Sequence, residues 1–393
     1  MLLSQREFPM QNIDKSSVTE RHYLESIANK MADKLIFQLA QFDGKFPAAC
    51  SVDGIYPLTP NTDWTTGFWS GATALAARFN HAERFLPHLE QQVVSFSERL
   101  AKKHDLETHD LGFLYTLSCV SAWRMTGNIE ARCTALSAAD ALLTRYHPRA
   151  GIIQAAWGDL QDPEQQGRMI IDCMMNLPLL YWASEQTGNQ NYARCAYSHA
   201  VQAQRYLFRE DNSTFHTFYM DVLTGQPIGG KTHQGYADNS CWARGQSWAI
   251  YGSALSFSYT GDKTFLSSAI RAAKYFLAHL PSDGICYWDL SLTAPGTHKD
   301  TSAAIIAVCG LLELANHLSV VDPERHYFIQ QAIDIMDILL KSYFDSECNQ
   351  GGYLTQSVYN MNKNRGVDEY STWGDYFLFE AISRLISPEA KYW

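Results

Sequence analysis

The chain has 393 residues, of which 46% are hydrophobic and 18% are charged, and its formal net charge is −10. This composition predicts a globular protein with a large core, and one domain is compatible with the length because closed barrels of repeated units reach this size. The acidic balance, without a Lys/Arg-rich run, argues against nucleic acid as a partner. No apolar run has the length of a transmembrane helix, and the first residues lack the pattern of a signal peptide, so we expect no membrane partner.

The first residues are polar, and the apolar periodicity that follows is helical. We therefore predict that residues 1–18 form a surface arm and that residues 19–393 form one domain. Counting apolar stripes gives about twelve helices. They are predicted at residues 20–42, 68–80, 83–103, 111–126, 129–146, 173–187, 190–208, 242–259, 263–280, 301–318, 325–343 and 375–386.

Three similar tripeptides separate neighbouring helices. They are Thr126-Gly-Asn128, Thr187-Gly-Asn189 and Thr260-Gly-Asp262. In each, glycine can end one helix in the left-handed conformation, and the Asn or Asp can cap the next helix. Helix hairpins cannot bury both faces alone, so they stack as a solenoid or close into a ring. The unequal links between hairpins favour closure, and we predict an all-α (α/α)6 barrel.

The long links between hairpins are the predicted functional end of the barrel. They lie near residues 147–171, 209–241, 281–300 and 344–374 and should gather at one end. Links of this length in a compact domain are usually functional. Within them, residues 215–221 and the Gly229-Gly230 turn predict a small β-hairpin.

One carboxylate, Asp172, lies inside the otherwise apolar run from Arg168 to Asn176. Burying an unpaired carboxylate is costly, so Asp172 is either a helix cap with a local partner or a residue retained for chemistry. Asn176, four residues on, would share its helix face. Elsewhere, Asp110 precedes a predicted helix and is well placed to cap it.

Arg244 and Trp248 are four residues apart on one predicted helix, with Gly245 leaving room for a ligand. A guanidinium beside an indole suits a sugar carboxylate, although the same pair can form a cation–π contact that only stabilises the helix. Two carboxylates near aromatic residues are typical of general acid–base catalysis on a carbohydrate.

Metal and disulfide sites are poorly supported by the sequence. The nine cysteines are odd in number, scattered and without a Cys-x-x-Cys pair. They predict reduced, mostly buried thiols in a cytoplasmic protein. No His-Glu-x-x-His motif, Walker loop or dinucleotide-binding glycine motif is present, so we expect no metal.

Seven segments, spread in order over nearly the whole chain, resemble the unsaturated glucuronyl hydrolases. They are Asp63-Trp-Thr-Thr-Gly-Phe-Trp69, His109-Asp-Leu-Gly-Phe-Leu-Tyr115, Ile171-Asp-Cys-Met-Met-Asn176, Phe215-His-Thr-Phe-Tyr219, Gln234-Gly-Tyr236, Trp242-Ala-Arg-Gly-Gln-Ser-Trp248 and Gly374-Asp-Tyr-Phe377. The resemblance implies an (α/α)6 barrel that needs no cofactor. It also implies release of a 4,5-unsaturated glucuronic acid from the non-reducing end of lyase-generated, glycosaminoglycan-type oligosaccharides.

The chemistry implied by the resemblance is hydration of a vinyl ether. Asp172 would protonate C4, and its carboxylate would then take a proton from the water that adds at C5; the hemiketal formed would open and release the sugar. The apolar flank of Asp172 should raise the pKa of its carboxyl group above the usual value. Asp110 matches the family's second essential Asp, and we assign it to sugar hydroxyls and to raising the pKa of Asp172 further.

The resemblance also implies a set of substrate contacts. Residues matching positions in the −1 subsite are Trp64, Trp157, His216, Gln234, Arg244 and Trp248. We expect Arg244 to contact the uronate carboxylate, and we place Asn176 among the contacts as well. Family members that favour sulfated fragments carry Ser-x-x-Ser-x-Lys before Gly-Val-Asp-Glu, whereas this chain has neither serine and keeps only the positive charges of Lys363 and Arg365 there.

Three other functions are compatible with parts of these patterns. An unsaturated rhamnogalacturonyl hydrolase would share the barrel and the catalytic Asp but act on pectin fragments. A sugar 2-epimerase would depend on histidine bases, and a non-catalytic carbohydrate-binding protein would leave Asp172 unexplained. A helical barrel exposes little sheet edge, so either a monomer or a homodimer is expected.

Overall fold

The computed structural model describes residues 16–79, 82–156, 161–387 and 393. Within these ranges it contains twelve helices, as predicted. They are α1 (Ser16–Phe42), α2 (Thr66–Phe79), α3 (Ala82–Ala101), α4 (Leu111–Tyr115 and Ser121–Thr126, joined by a π-helical turn at Thr116–Val120), α5 (Ile129–Leu143), α6 (Leu177–Thr187), α7 (Gln190–Tyr206), α8 (Ala243–Thr260), α9 (Lys263–Ala278), α10 (Thr301–Asn316), α11 (Pro323–Ser342) and α12 (Thr372–Ile386). The predicted arm lies mostly outside the described residues.

The even-numbered helices form a closed inner ring. Each packs against the next, and α12 packs against α2 to close the circle. These helices are buried on nearly all sides, as α8 and α10 show, whereas outer helices such as α7 and α9 bury one stripe. This difference follows from an inner helix having neighbours on every side. The predicted (α/α)6 barrel is confirmed.

Tight turns built on glycine join three inner helices to the outer helices that follow them. Gly127, Gly188 and Gly261 have φ values of 71°, 74° and 71°, in the left-handed region that glycine adopts without strain. In each turn the next Asn or Asp accepts a hydrogen bond from a backbone N–H of the outer helix. The exposed Cys133 is the fifth residue of α5 and lies close to one of these turns.

In the part of the chain that the structure describes, nine short strands lie in the links. They are β1 (Phe46–Pro47), β2 (Leu58–Thr59), β3 (Tyr146–His147), β4 (Ile152–Ile153), β5 (Arg168–Ile170), β6 (Thr217–Met220), β7 (Pro227–Lys231), β8 (Ser357–Asn360) and β9 (Arg365–Glu369). All pairs are antiparallel: β1–β2, β3–β4, β8–β9 and a three-stranded sheet in the order β5–β6–β7. The predicted hairpin is β6–β7, and β5 beside it was not predicted.

The start of α6 differs from the prediction. Residues Ile171–Met175 form a 3₁₀ helix, and α6 begins only at Leu177. A 3₁₀ helix has three residues per turn, so Asp172 and Asn176 do not share a face as a regular α-helix would require.

The prediction that Asp110 caps α4 is also wrong. Asp110 occupies the cap position, but its carboxyl group accepts no hydrogen bond from the first turn of the helix. Instead, the side-chain oxygen of Asn176 accepts the N–H of Phe113 at 2.8 Å. Gly112 permits this approach, because a Cβ atom there would lie 2.3 Å from Asn176 Cα. The hydrogen bond and this close contact therefore hold the starts of α4 and α6 together.

None of the helices in the described ranges has the length and hydropathy to cross a bilayer. All nine cysteines are free thiols, and most are buried.

Candidate active site

A cleft of about 440 Å³ opens among the long links, where α2, α4 and α6 begin. Seven of the predicted site residues line it: Trp64, Asp110, Asp172, His216, Gln234, Lys363 and Arg365. The other lining residues are Asp63, His109, Gln165, Arg168, Ile170, His233, Tyr359 and Asn360. Helix N-termini carry partial positive charge, so this end of the barrel favours a negatively charged ligand.

The carboxyl groups of Asp172 and Asp110 have different proton affinities. Burial raises the pKa of Asp172 to about 6, although Arg244 and Arg168 oppose the shift. Burial, and then the charge of Asp172, raise the pKa of Asp110 to about 8. The repulsion between two carboxylates is mutual, and with these pKa values the charge of Asp172 holds the proton on Asp110, whereas the prediction had Asp110 raising the pKa of Asp172.

His216 presents an N–H group to Asp172. Its Nδ1 accepts hydrogen bonds from the backbone N–H groups of His233 at 3.1 Å and Gln234 at 3.0 Å. Burial holds the pKa of His216 well below its usual value, so the ring is neutral and its one proton is on Nε2. That nitrogen lies 3.8 Å from Oδ1 of Asp172. Among the described residues, this oxygen has no hydrogen-bond partner.

Arg244 lies behind the cleft with its terminal nitrogens engaged. One donates to Oδ2 of Asp300 at 3.1 Å and to a backbone carbonyl of β8 at 2.5 Å. The other donates to Oε1 of Gln234 at 2.9 Å and to the carbonyl of Tyr359 at 2.8 Å. Only 1% of the Arg244 side chain is exposed. Direct contact with a uronate carboxylate would require one of these bonds to open.

The predicted pairing of Arg244 with Trp248 is not formed. The guanidinium packs on the rings of Trp242 and Trp373, at 4.4 and 4.9 Å from their centroids. Trp248 is fully buried in the barrel core, in ring contact with Phe113 and Phe377. Helical spacing placed the two residues on neighbouring turns, but the aromatic partners of Arg244 come from the start of its own helix and from α12.

Asn176 is also outside the cleft. It is fully buried, and its Nδ2 donates to Oδ1 of Asp110 at 3.2 Å. Because its oxygen is bonded to α4, this amide fixes the orientation of Asp110 from behind. Trp157 lies outside the described residues.

The opposite rim of the cleft is aromatic and cationic. Trp64 stacks on Trp373 at 5.3 Å and donates its indole N–H to the hydroxyl of Tyr359 at 3.0 Å. The Arg365 guanidinium packs over the Tyr359 ring at 4.4 Å and lies 3.8 Å from Oδ2 of Asp63.

Sequence reasoning assigned no role to several residues at this site. His109 and Arg168 line the cleft, and Asp300 pairs with Arg244 behind it. For Asp300 a signal was present: an Asp directly before an apolar helix predicts an N-cap, and its carboxylate does accept the N–H groups of Ser302 and Ala303. Arg168 opens the segment that contains Asp172, but the pairing of its strand with β6 was not predictable locally.

The chain is similar to known glycoside hydrolases over most of its length. The family model for Glycosyl Hydrolase Family 88 matches residues 40–370. The unsaturated glucuronyl hydrolase of Bacillus sp. (strain GL1) is 43% identical over 357 residues, which cover 90% of this chain and 94% of that protein. Its crystal structure superimposes with a TM-score of 0.91 at 42% identity, covering 94% of this chain and 98% of that one.

Two streptococcal proteins are also similar. The unsaturated chondroitin disaccharide hydrolase of Streptococcus pneumoniae (strain ATCC BAA-255 / R6) is 40% identical over 367 residues, 93% of this chain and 92% of that protein. An aspartate-to-asparagine variant of the unsaturated glucuronyl hydrolase of Streptococcus agalactiae, solved in complex with dGlcA-GalNAc6S, has a TM-score of 0.84 at 33% identity and full coverage of both chains.

Proposed function

Because the chain belongs to Glycosyl Hydrolase Family 88, we propose that it releases 4,5-unsaturated glucuronic acid from the non-reducing end of glycosaminoglycan-type oligosaccharides, with Asp172 as the acid. The observation that carries this proposal is the carboxyl group of Asp172. It lines the cleft, its pKa is raised to about 6, and its Oδ1 has no hydrogen-bond partner among the described residues. A carboxylate serving only as a helix cap would be bonded to backbone N–H groups.

The reaction is the addition of water across the C4–C5 double bond. Protonated Asp172 gives its proton to C4, and positive charge develops at C5, where the ring oxygen stabilises it. The Asp172 carboxylate then takes a proton from the water that adds at C5, which restores the acid. The product at C5 is a hemiketal, and its opening releases the neighbouring sugar. One group acts in turn as acid and base, so its pKa should lie close to the working pH.

Asp110 and His216 bind and orient the uronate ring. Asp110 faces the cleft with its carboxyl group fixed by Asn176, and a carboxyl group can bind sugar hydroxyls. His216 lies beside Asp172 with its donor nitrogen directed at the carboxyl group. Its N–H stabilises the anion that remains after Asp172 has protonated C4.

Gln234 presents its amide N–H₂ to the uronate carboxylate. Its Oε1 accepts a hydrogen bond from Arg244, and this bond fixes which end of the amide faces the cleft. Arg244 then supplies positive charge from behind, and it already opposes the rise in the pKa of Asp172. In this arrangement Arg244 contributes positive charge to the site although its terminal nitrogens are bonded to the protein.

The rim residues bear on sulfated substrates. Lys363 and Arg365 remain in the cleft, but the Arg365 guanidinium is already placed over Tyr359 and near Asp63. We therefore propose a preference for unsulfated disaccharides. The free thiols support a cytoplasmic location, where cysteines stay reduced.

The test is the loss of the ultraviolet absorbance of the conjugated uronate. Unsaturated chondroitin, hyaluronan, heparin and rhamnogalacturonan disaccharides are offered separately to the wild type and to Asp172→Asn. We expect turnover of the unsulfated glycosaminoglycan disaccharides by the wild type, and binding without turnover by the variant. Asp375→Asn is the matched control, since Asp375 is a buried carboxyl group outside the cleft whose pKa burial also raises to about 6. Substantial turnover by folded Asp172→Asn would remove Asp172 from the acid role.

A further inference from the structure

The hydrogen bonds of His109 fix which of its nitrogens carries a proton. Its Nδ1 lies 3.4 Å from the backbone carbonyl oxygen of Ala156. A carbonyl oxygen only accepts, so Nδ1 must be the donor. Burial lowers the pKa of His109 to about 3, so the ring is neutral. Its Nε2 is therefore left as an acceptor.

That acceptor faces Asp110. The Nε2 atom of His109 lies 3.4 Å from Oδ1 of Asp110, and both side chains are buried. Among the described residues, Nε2 has no hydrogen-bond partner. If Asp110 were ionised, a nitrogen lone pair and a carboxylate oxygen would face each other away from water, which is unfavourable. A proton on Asp110 that points at Nε2 of His109 replaces this repulsion with an attraction.

The remaining groups around Asp110 act in both directions, and burial is the largest effect and favours the neutral form. Asn176 donates to Oδ1, and the hydroxyl of Thr108 lies 3.5 Å from Oδ2, but no cation pairs directly with this carboxyl group in the described part of the chain. The titratable or charged groups around the Asp110–His109 pair are Asp63, Arg145, Arg168, Asp172, Cys173, His199 and His216. Of these, the nearby carboxylates oppose ionisation of Asp110, and Arg145 and Arg168 favour it.

We propose that His109 is a positioning residue that accepts the proton of a neutral Asp110, so that in the ligand-free protein the carboxyl pair holds its one proton on Asp110. The two histidines of the cleft then have opposite tautomers, each matched to its carboxyl group. His109 offers a lone pair to protonated Asp110, and His216 offers an N–H to ionised Asp172. The consequence for catalysis rests on the proposed function: Asp110 meets the sugar as a hydrogen-bond donor, and Asp172 must gain a proton before it can act.

Infrared spectroscopy of the ligand-free protein tests where the proton is. A protonated carboxyl group has a C=O stretching band that a carboxylate lacks. At about pH 7, between the two raised pKa values, we expect this band in the wild type and in Asp172→Asn, and its loss in Asp110→Asn. A wild-type spectrum without the band, or a band that Asp172→Asn removes and Asp110→Asn leaves, would overturn the proposal. Asp375→Asn identifies any contribution from Asp375, another buried carboxyl group with a raised pKa.

Two substitutions at His109 separate its acceptor role from simple packing. His109→Gln keeps an acceptor near the position of Nε2, whereas His109→Phe keeps the ring volume and removes the acceptor. We expect the band to titrate about one pH unit lower in His109→Phe, which is the effect of losing one hydrogen bond, and near the wild-type midpoint in His109→Gln. An unchanged midpoint in folded His109→Phe would refute the role.

The measurement needs no substrate. The protein could turn over none of the disaccharides and still show the C=O band with the expected dependence on Asp110 and His109. That result would support this inference and refute the proposed function. Turnover by a protein that lacks the C=O band would support the proposed function and refute this inference.

Discussion

Catalysis should weaken as the pH rises, because Asp172 must carry a proton to protonate C4. Burial raises the pKa of this carboxyl group from 3.8 to about 6. The acid form is present below the raised value and is lost as the pH rises through it. We therefore expect kcat/KM to fall about tenfold per pH unit above about pH 6.

The fraction of Asp172 that is protonated near neutral pH follows from the shift in its pKa. A carboxyl group with a pKa of about 6 is protonated in about 9% of molecules at about pH 7, whereas one with an ordinary pKa is protonated in about 0.06%. Burial thus supplies roughly 150-fold more acid near neutrality.

Substituting Ile170, an apolar residue that lines the cleft, perturbs this shift. Ile170→Thr replaces an ethyl group with a hydroxyl, so the carboxylate of Asp172 should be better solvated and its pKa lower. The falling part of the pH profile should then move to lower pH, while Ile170→Val, which keeps the surface apolar, should leave it in place. The assay is the initial rate of absorbance loss at low substrate concentration, between about pH 5 and about pH 9.

Two outcomes would refute the reasoning. A wild-type profile that falls only near pH 8 would match Asp110, whose pKa is raised to about 8, and would make Asp110 the acid. A shift of Ile170→Thr to higher pH would show that burial is not what raises the pKa of Asp172.

Further predictions concern stability and binding. Gly112→Ala should lower the free energy of unfolding by about 3 kcal/mol, since the new Cβ would meet Asn176 at 2.3 Å; Gly261→Ala, in open space at φ +71°, should cost only about 1 kcal/mol. Both are measured by urea unfolding, and equal costs would contradict the packing argument. Asp110→Asn should stabilise the protein more at high pH than at low pH, because a raised folded-state pKa makes the wild type lose stability as the pH rises toward that value; a pH-independent difference would contradict this. Gln234→Glu should raise KM about tenfold by repelling the uronate, with a smaller effect on kcat, in steady-state kinetics; an unchanged KM would remove Gln234 from carboxylate binding.

Local sequence signals were sufficient to predict the barrel. The three glycine turns are each defined by neighbouring residues, and all three have the predicted left-handed glycine and helix cap. An inner helix such as α10 is apolar on all faces, and this pattern can be recognised in the sequence without knowing which helices pack against it. Asp172 was identified for a similar reason, since a carboxylate in an apolar run conflicts with its surroundings.

Contacts between distant segments explain the errors. The cap of α4 comes from Asn176, 63 residues away from its partner, so the nearer Asp110 looked like the cap. Arg244 donates a hydrogen bond to Val358, 114 residues away. No periodicity within α8 indicates that the N–H groups of Arg244 are already hydrogen-bonded to the protein. The tautomer of His216 likewise depends on backbone N–H groups from a separate loop.

The exposed Cys133 has a practical consequence. The other eight thiols are at least partly buried, so a maleimide reagent should attach first at this one position. Cys133 lies beside the Gly127 turn, where α4 ends, and the cleft lies where α4 begins. A resin or surface coupled through Cys133 would therefore hold every molecule with its open end toward the solution, where long polymer fragments can reach it.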